Sequence, residues 1–305
     1  MIINKDILIV GAGPAGITAA LYLARSKYSF ALVEKSTPGG KLNITTKIDN
    51  YPAVSSVDGS ELTAKMIDQL ANMKVDIVPD NIKAIKKDNN DFIAYGESDE
   101  YHVREVILGT GVANKKANIP NEDKFLGKGI SYCAVCDGFF NRNKDVMVFA
   151  KDRKGYLEAL YLSNIVKHLY LVSDLDKDDD EGNLTSLKAL NNVEFLSPYK
   201  ILSFEGKEFL EDVIIENLND NSKKTISINA CFPFLGDIPS NSLAQSLGIV
   251  LENGFIKVDN MMKTNVDGVY AVGDVVVKPL RQIVTACNDG AIAATAIIRK
   301  LNSLK

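Results

Sequence analysis

A glycine-rich turn near the N-terminus constrains the fold of this sequence more than any other feature. The apolar residues 6–10 predict a short strand, and the turn G-A-G-P-A-G follows at residues 11–16. Residues 17–25 then favour a helix, and residues 30–33 favour a second strand that ends at Glu34. Three spaced glycines between a strand and a helix let the backbone approach a pyrophosphate at the helix N-terminus. This βαβ pattern predicts a dinucleotide site, and the alternative interpretation is a glycine turn in a plain α/β protein.

A second unit of the same kind lies in the middle of the chain. Residues 146–149 predict a strand, residues 156–165 a helix and residues 168–172 a further strand. A helix predicted over residues 289–301 closes the chain. We therefore predict an α/β fold with two Rossmann-like, three-layer ββα domains of nucleotide-binding type, the second inserted into the first. The predicted boundaries give a discontinuous first domain and an inserted second domain, residues 1–112 with 240–305 and residues 113–239.

Two of the four cysteines form a C-x-x-C motif, Cys133 and Cys136. Such a pair can close a small disulfide and reopen it by thiolate exchange. A zinc site would need two further ligands, and no other cysteine, histidine or carboxylate has the required spacing, so we predict no metal. Cys231 and Cys287 lie in apolar stretches, which favours packed core thiols.

Several short motifs are spread along the chain. They are Gly11-Ala-Gly-Pro-Ala-Gly16, Gly39-Gly40, Asn50-Tyr51-Pro52, Thr110-Gly111, Cys133-Ala-Val-Cys-Asp-Gly138, Gly273-Asp274 and Arg281-Gln282. With them the chain resembles the low-molecular-weight thioredoxin reductases nearly from end to end. The resemblance implies that the first, discontinuous domain binds FAD, that the inserted domain carries the cysteine pair, and that the protein is a homodimer.

The resemblance also implies a set of cofactor-binding residues. Glu34 matches the adenosine ribose ligand, and its carboxylate at the end of a strand can accept hydrogen bonds from ribose hydroxyls. Asp274 matches the residue that binds the ribityl and pyrophosphate region, and Gln282 matches a residue beside the isoalloxazine. Lys41 departs from the glutamine that is usual in the family. The remaining members of the set are Gly11, Gly13, Pro14, Ala15, Gly16, Lys35, Gly40, Leu42, Asn50, Thr110, Gly111, Gly273, Arg281 and Ile283.

The same resemblance assigns roles around the cysteine pair. It implies that Cys136 faces the flavin and that Cys133 attacks the protein substrate. Asp137 matches the acid–base residue of the family. A carboxylic acid beside a thiol pair can protonate a leaving thiolate if burial raises its pKa, and the alternative is a solvated turn residue.

The second turn departs from the family. Thioredoxin reductases bind NADPH there through glycines, whereas this chain has Ala150, Lys151 and Asp152, whose side chains obstruct the approach of a pyrophosphate. The next strand is followed at residues 174–181 by six carboxylates against one lysine, where the family has a basic cluster for the 2′-phosphate. Close like charges disfavour an anionic ligand. We therefore predict an inserted domain that keeps the fold without a working NADPH site.

An FAD site and a C-x-x-C pair without an NADPH site resemble the ferredoxin-dependent flavin thioredoxin reductases. The predicted function is FAD-dependent reduction of thioredoxin with electrons from ferredoxin, which makes thioredoxin and ferredoxin the predicted partners. One alternative is a flavin dithiol oxidase that uses oxygen, although such enzymes tend to place histidine near the cysteines. A second is an atypical NADPH-dependent thioredoxin reductase, and a third is a non-enzymatic flavin-binding protein.

Charge and hydropathy exclude several classes of function. The net charge of −4 does not favour nucleic-acid binding, and no apolar run approaches the ~20 residues that span a membrane. The N-terminus lacks a signal-peptide pattern, so we expect a cytoplasmic protein. Because ferredoxins are commonly acidic, the acidic run is unsuited to docking one, and basic residues such as Lys41 and Arg281 are better suited.

Overall fold

The structure of the chain is a computed structural model that describes residues 1–45, 47–151, 153–173 and 182–303. The α-helices in this part of the chain are α1 (Pro14–Leu23), α2 (Gly59–Asn72), α3 (Glu122–Phe125), α4 (Ala134–Asp137), α5 (Arg153–Ser163), α6 (Asn183–Lys188), α7 (Ser242–Ser246) and α8 (Ile283–Ser303). Its strands are β1 (Ile2–Asn4), β2 (Ile7–Val10), β3 (Phe30–Glu34), β4 (Ile77–Pro79), β5 (Ala84–Asp88), β6 (Asp91–Tyr95), β7 (Glu100–Val103), β8 (Glu105–Leu108), β9 (Val112–Asn114), β10 (Asp145–Ala150), β11 (His168–Ser173), β12 (Val193–Leu196), β13 (Tyr199–Glu205), β14 (Asp212–Asn217), β15 (Lys223–Ser227), β16 (Ala230–Phe234), β17 (Asp237–Pro239), β18 (Leu251–Glu252), β19 (Phe255–Ile256) and β20 (Val269–Ala271).

The chain forms two compact units. Unit 1 comprises Met1–Ala113 together with Ile238–Lys305, and unit 2 comprises Asn114–Asp237. The chain passes from one unit to the other twice, and both of these crossings fall within short strands, β9 and β17. These crossings lie one or two residues from the boundaries that the sequence predicts. A boundary inside a continuous strand leaves no Pro- or Gly-rich linker by which composition could reveal it.

Unit 1 is built around a five-stranded parallel sheet of order β20-β8-β2-β3-β4. Side chains alternate along β2, so that Ile7 and Ile9 pack in a core with α1, α2 and α8. Leu8 and Val10 point to the other face, in a core with residues of a second sheet of order β1-β7-β6-β5. Helices, parallel sheet and second sheet therefore form three layers. Burial on both faces explains why β2 is a continuous apolar run.

Helices α1 and α8 pack closely because small residues face each other. A Cβ added to Gly290 would lie 2.1 Å from the carbonyl oxygen of Ala15. Ala19, Ala293 and Ile297 are fully buried in the same core. This contact fixes the start of α1, which directly follows the glycine turn.

Unit 2 repeats the three-layer arrangement. Its parallel sheet has the order β12-β11-β10-β16, and its antiparallel sheet has the order β13-β14-β15. Val146 and Val148 of β10 pack in a core with residues of α5, whereas Met147 packs with Phe204 and Val213 of the antiparallel sheet. Each unit thus places the carboxyl end of a buried parallel strand directly before a helix.

The predicted fold class, an α/β protein with two Rossmann-like domains and the second inserted into the first, is confirmed. The last helix begins earlier than predicted, at Ile283 rather than at residue 289. No helix in the described part of the chain combines the length and apolar character needed to cross a membrane.

Candidate functional site

The three glycines of the first turn serve different purposes. Gly11 has a φ of +104°, and a Cβ there would lie 2.4 Å from the oxygen of Gly109. A Cβ at Gly16 would lie 1.9 Å from the oxygen of Gly11. Gly13 is the N-cap of α1, and a Cβ there would meet no atom of the described residues within 4 Å. The fold therefore requires glycine at two positions and leaves open space at the third, before Pro14 and the free N–H groups of the helix.

Glu34 ties this turn to the end of β3. Its Oε2 accepts a hydrogen bond from the N–H of Ala12 at 2.7 Å, and its Oε1 accepts one from the N–H of Ser36 at 2.9 Å. A carboxylate oxygen has two lone pairs, so each retains acceptor capacity for ribose hydroxyls. Lys35, which was also predicted to bind the cofactor, is exposed beside this carboxylate in sequence.

A short 3₁₀ helix, Gly40–Ile44, lies over the first turn. A Cβ built on Gly40 would be 3.8 Å from the Cα of Gly13, and Gly40 has a φ of +58°. Leu42 is buried and anchors the helix, while Lys41 is half-buried. The structure thus places Gly40 beside the glycine turn, and Lys41 and Leu42 follow it in the short helix.

Two predicted cofactor residues that are far apart in sequence meet directly. Asn50 donates a hydrogen bond from Nδ2 to Oε1 of Gln282 at 3.0 Å. The backbone N–H of Gln282 donates to Oγ1 of Thr285 at 3.1 Å, and Ile283 begins α8. The start of α8 therefore holds Gln282 beside Asn50.

Thr110 and Gly111 follow β8, the strand next to β2. Thr110 donates from Oγ1 to the carbonyl of Ser240 at 2.6 Å, and Gly111 accepts from the N–H of Ser240 at 3.0 Å. Gly111 has a φ of +67°, which favours glycine. These contacts hold the segment at the carboxyl edge of the parallel sheet, where the glycine turn also lies.

Gly273 and Asp274 follow β20, and a residue that the sequence analysis missed holds them. The buried Asp289 accepts a hydrogen bond from the N–H of Gly273 at 2.9 Å and forms an ion pair with Lys278. Gly273 lies beside the glycine turn, because a Cβ there would be 3.0 Å from the Cβ of Ala15. An aspartate within an otherwise small and apolar helical stretch was the available signal for Asp289.

Arg281 has a structural role at this edge. Its Nε donates to the carbonyl of Asp274 at 2.9 Å and its Nη2 to the carbonyl of Val276 at 3.1 Å. The guanidinium also stacks over the ring of Phe255, 3.9 Å from the centroid. Arg281 and Lys41, the two residues suggested from the sequence for docking a ferredoxin, are both half-buried.

The cleft fits a dinucleotide. The glycine turn, Thr110–Gly111 and Gly273–Asp274 all follow the carboxyl ends of neighbouring parallel strands, where α/β proteins bind ligands. Open space at Gly13 admits a pyrophosphate, and Glu34 suits a ribose. FAD, the cofactor that the sequence implies, is a dinucleotide with both groups.

The predicted cysteine pair forms a disulfide in unit 2. The sulfur atoms of Cys133 and Cys136 are 2.19 Å apart, and their Cα atoms are 5.3 Å apart. Cys133 caps α4, and the N–H of Cys136 donates to its Sγ at 3.1 Å. Ser131 accepts through Oγ from the N–H of Cys133 at 3.1 Å. An N–H directed at Sγ stabilises a thiolate on Cys133 when the disulfide is open.

Asp137 is not a solvated turn residue. Burial raises the pKa of its carboxyl, and a hydrogen bond from Ser131 opposes this rise in the pKa. Its Oδ1 is buried and lacks a hydrogen-bond partner among the described residues. Both observations favour the protonated acid beside the cysteine pair.

A second pair of residues anchors this segment and was missed by the sequence analysis. Glu122 is buried and accepts a hydrogen bond from Oη of Tyr132 at 2.6 Å and another from the N–H of Ala117 at 3.0 Å. Tyr132 precedes Cys133 directly. Neither residue stands out in the sequence, because an isolated acid and tyrosine show no spacing that indicates a partnership.

The other two cysteines differ from each other. Cys231 is fully buried, as predicted, and burial raises the pKa of its thiol. Cys287 packs against the core of unit 1, as predicted, but is only half-buried, and its Sγ lies 3.8 Å from Oη of Tyr51. Burial and the nearby Cys287 raise the pKa of Tyr51 to about 12. No three His, Cys, Asp and Glu side chains of the described residues are grouped to hold a metal ion.

The second turn differs from the first. Strand β10 continues through Ala150, which is fully buried, and α5 begins at Arg153. A Cβ added to Gly155 would lie 2.7 Å from the Cβ of Ala150, so this glycine allows α5 to pack on the strand. Lys151 is exposed. Asp152 and the acidic residues 174–181 lie outside the described part of the chain.

Comparisons with known proteins agree with this architecture. The family model described as pyridine nucleotide-disulphide oxidoreductase matches residues 5–290. A thioredoxin reductase from Ureaplasma parvum is 38% identical over 302 residues, which cover 95% of this chain and 94% of that protein. A thioredoxin reductase from Bacillus subtilis is 33% identical over 305 residues, with coverages of 98% and 96%.

Solved structures give the same result. Thioredoxin reductase from Streptococcus pyogenes superposes with a TM-score of 0.93 at 32% identity, covering 98% of this chain and 99% of that one. A ferredoxin-flavin thioredoxin reductase from Clostridium acetobutylicum gives a TM-score of 0.56 at 28% identity, with coverages of 99% and 100%. From its family match and its relatives, the chain belongs to the pyridine nucleotide-disulphide oxidoreductases, as a homologue of the thioredoxin reductases.

Proposed function

We propose that this protein reduces the disulfide of a thioredoxin through Cys133 and Cys136, using FAD and electrons from a reduced ferredoxin. The observation that carries the disulfide chemistry is the Cys133–Cys136 bond with the buried carboxyl of Asp137 beside it. FAD, when bound in unit 1, supplies the two electrons that return this disulfide to the dithiol state. A homodimer and a cytoplasmic location stay predictions.

The exchange of disulfides needs only groups of this chain and of the substrate. The thiolate of Cys133 attacks one sulfur of the external disulfide, and the other sulfur leaves as a thiolate and takes a proton. The thiolate of Cys136 then attacks Sγ of Cys133, re-forms the internal disulfide and releases the second substrate thiol. Two electrons and two protons thus pass from the pair to the substrate.

Asp137 can supply a proton to the leaving thiolate. A carboxyl whose pKa is raised by burial keeps its proton at higher pH than an exposed aspartate does. A thiolate that is protonated as it leaves cannot attack the mixed disulfide again, so the exchange proceeds forwards.

The surface beside the pair suits a protein substrate. Val135, between the two cysteines, is 39% exposed, and Phe139, three residues after Cys136, is 62% exposed. Exposed apolar side chains next to a reactive group are typical of sites that bind another protein. Both side chains lie within the chain segment that carries the disulfide.

The choice of ferredoxin rests on the second turn. In the second turn, Ala150 places a buried methyl group at the position equivalent to Gly11, and Asp152 occupies the position equivalent to Gly13. Ferredoxin-type clusters have potentials near about −400 mV, below the roughly −270 mV of a thioredoxin disulfide, so electrons would flow towards thioredoxin. The Clostridium acetobutylicum protein, named a ferredoxin-flavin thioredoxin reductase, has the same fold.

A second candidate is a thioredoxin reductase that uses NADPH in an unusual way. The description of the matching family as pyridine nucleotide-disulphide oxidoreductases favours this donor, as do the relatives named thioredoxin reductase. The altered second turn is the observation that opposes it.

Anaerobic reduction of the purified holoenzyme with reduced ferredoxin, NADPH and NADH in parallel tests the donor. We expect ferredoxin to bleach the flavin absorbance and to support thioredoxin reduction, and micromolar NADPH or NADH to leave the flavin oxidised. Rapid bleaching by NADPH would establish the second candidate. Fast peroxide formation from a dithiol and oxygen, without reduction by ferredoxin, would instead identify a dithiol oxidase.

A further inference from the structure

Ser131 is held in place by the parallel sheet of unit 2. Its N–H donates to the carbonyl of Cys231 at 3.1 Å, and the N–H of Cys231 donates to the carbonyl of Gly129 at 2.8 Å. These bonds form a parallel bridge at Ile130, so the segment 129–131 extends the sheet beyond β16. Cys231 is fully buried, and β16 pairs with β10 on its other side. The backbone of Ser131 is therefore fixed by the core of the sheet.

The side chain of Ser131 contacts both ends of the cysteine segment. Its Oγ accepts a hydrogen bond from the N–H of Cys133 at 3.1 Å and donates one to the carboxyl of Asp137. The carbonyl of Cys133 lies 3.5 Å from the same Oγ, which is a longer and weaker contact. The N–H of Asp137 donates to this carbonyl at 3.1 Å. One hydroxyl thus links the attacking cysteine with the acid, across the single turn of α4.

The surroundings of the Asp137 carboxyl are largely apolar. Its Oδ1 is buried and lacks a hydrogen-bond partner among the described residues. The face of α5 that packs against α4 is apolar, since Leu162 shares a core with α4. Tyr156 is the titratable side chain in that core, and its Oη lies 2.7 Å from Oγ of Ser173. In the described part of the chain, the hydroxyl of Ser131 is therefore the group that stabilises a carboxylate here.

Two further neighbours of Asp137 carry no charge in the disulfide form. Asn141, in the 3₁₀ helix after α4, donates from Nδ2 to the backbone carbonyl of Asp137 at 3.0 Å. The sulfur atoms of Cys133 and Cys136 titrate only when the disulfide is open. Burial is thus the larger influence on the pKa of Asp137 and raises it, and the Ser131 hydroxyl opposes this rise in the pKa.

A proton donor must also be stable after it has lost its proton. When Asp137 protonates the leaving thiolate, its O–H bond breaks, an S–H bond forms, and the negative charge moves from sulfur to the carboxylate. A hydroxyl that donates to this carboxylate stabilises the product of the transfer. Without such a hydroxyl, a buried acid holds its proton too tightly to be an efficient donor near neutral pH.

We propose that Ser131 is a positioning residue for disulfide exchange. Its hydroxyl stabilises the carboxylate that Asp137 becomes on giving up its proton, and its bond to the N–H of Cys133 keeps the acid beside the attacking cysteine. The inference rests on the proposed exchange through Cys133 and Cys136, and it is independent of the electron donor.

Two substitutions of similar shape separate the hydroxyl from the volume of the side chain. Ser131→Val removes the hydroxyl and Ser131→Thr keeps it, and a strand-like segment accepts both β-branched residues. Single-turnover reduction of a thioredoxin disulfide by chemically pre-reduced holoenzyme, from pH 5 to 9, gives the rate. Ser131→Val should lower the highest rate about tenfold, the order expected for one lost hydrogen bond. It should also move the descending limb to higher pH, whereas Ser131→Thr should keep the limb at the pH of the parent.

Tyr132→Phe is the matched control. Tyr132 anchors the same segment, because its Oη donates to the buried Glu122 at 2.6 Å. The substitution loosens the segment without removing the hydrogen bond to Asp137, so the rate should fall while the limb stays at the pH of the parent. In an Asp137→Asn background, Ser131→Val should move no limb, because no acid is left to titrate.

The stability of the oxidised holoenzyme gives a second measurement that needs no turnover. Burial raises the pKa of Asp137 in the folded state, so its ionisation costs stability as pH rises through the folded pKa. Loss of the Ser131 hydroxyl raises that pKa further, so more stability is lost on going to high pH. The urea midpoint of Ser131→Val should therefore lie further below that of Ser131→Thr at pH 9 than at pH 5.

A merely structural role of the hydroxyl predicts different results. A limb at the same pH in Ser131→Val and Ser131→Thr, with a stability gap that does not vary with pH, would overturn the inference and leave the proposed exchange intact. Failure of the parent to reduce a thioredoxin disulfide at any pH would refute the proposed function itself, and with it this role of Ser131. Should Ser131→Val not fold, Ser131→Ala removes the hydroxyl without added volume, and the same shifts are expected of it relative to the parent.

Discussion

The two βαβ turns of this protein separate what a fold requires from what a ligand requires. In the first turn, a Cβ at Gly16 would meet the backbone at 1.9 Å, whereas one at Gly13 would meet nothing in the described chain within 4 Å. The second turn keeps the packing glycine, Gly155, at the position equivalent to Gly16. It has Asp152 at the position equivalent to Gly13. The second turn thus has glycine at the helix-packing position, and Ala150 and Asp152 at the positions equivalent to Gly11 and Gly13.

This difference shows how to interpret a glycine-rich turn in which only some of the motif's glycines are present. A glycine whose Cβ would collide with the protein's own atoms is required for folding, so its presence in the second turn does not indicate a dinucleotide site. A glycine whose Cβ would meet open space is not required for folding and instead indicates a bound ligand. By this criterion unit 1 is built for a dinucleotide, whereas unit 2 has the architecture of such a domain without the open glycine of the first turn, in keeping with the proposed electron donor.

The largest expected effect is the loss of thioredoxin reduction without loss of FAD, which would assign disulfide chemistry to unit 2 and cofactor binding to unit 1. Cys133→Ser and Cys136→Ser should each lower thioredoxin reduction by at least about a thousandfold, since no mixed disulfide can be formed and resolved. Both variants should keep full FAD occupancy, because the cleft of unit 1 uses none of these atoms. Steady-state turnover together with the flavin absorbance measures both properties. Substantial turnover in the two variants would refute the assigned disulfide chemistry.

The next largest effect is expected from a substitution that introduces one feature of the second turn into the first. Gly13→Asp should weaken FAD binding by about a hundredfold or more, because two like charges 4 Å apart repel by about 4 kcal/mol at an effective dielectric constant of 20. The residue has a φ of −79°, so the backbone accepts a side chain without strain. Gly13→Ala is the control for the added Cβ and should lose much less affinity. Flavin retained by Gly13→Asp through dialysis would show that the open space does not receive the pyrophosphate.

The first turn could be predicted from the sequence because its determinants are local. Spacing, flanking strand and helix, and the carboxylate of Glu34 all lie within one βαβ unit. Asp289 could not be assigned, because its partners Gly273 and Lys278 come from a separate loop. The early start of α8 was missed because Thr285, Cys287 and Asn288 have low helix propensity, and packing against α1 overrides it.

Three lysines of unit 2 show the same limit. Lys115, Lys151 and Lys200 are distant in sequence and meet only because the parallel and antiparallel sheets are stacked. Acidic residues near the second turn dominated the interpretation of the sequence, whereas the structure places the lysines on one concave wall. Charge runs are visible in a sequence, but charge clusters formed by tertiary structure are not.

A smaller effect concerns the acid beside the disulfide. Asp137→Asn should lower the rate of disulfide exchange by about a hundredfold, within the usual range for removal of a general acid. Because burial raises the pKa in the folded state, the parent should lose rate as pH rises through that raised pKa, while the variant should lack this descending limb. Rate profiles from pH 5 to 9 measure this difference.

Asp137→Asn should also change how the free energy of unfolding depends on pH. An aspartate with a raised pKa in the folded state is destabilising once ionised, so the parent should lose stability as pH rises from its unfolded pKa through the folded pKa. The Asn variant removes this loss and should be more stable than the parent at pH 8. A variant that is both slower and less stable at every pH would indicate a structural role for Asp137.

The smallest expected effect tests whether Gly155 serves packing alone. Gly155→Ala should lower the free energy of unfolding by about 1–3 kcal/mol, the usual cost of overpacking, because the new Cβ would lie 2.7 Å from the Cβ of Ala150. Ala150→Gly removes that methyl group, so a double-mutant cycle should show a favourable coupling between the two substitutions. Urea unfolding of the four proteins measures the coupling, and FAD occupancy should be equal in all of them. Strictly additive effects would place the strain of Gly155→Ala elsewhere, since Phe234 is the next nearest side chain at 3.3 Å. A favourable coupling with unchanged FAD occupancy would instead establish that Gly155 allows α5 to pack against β10.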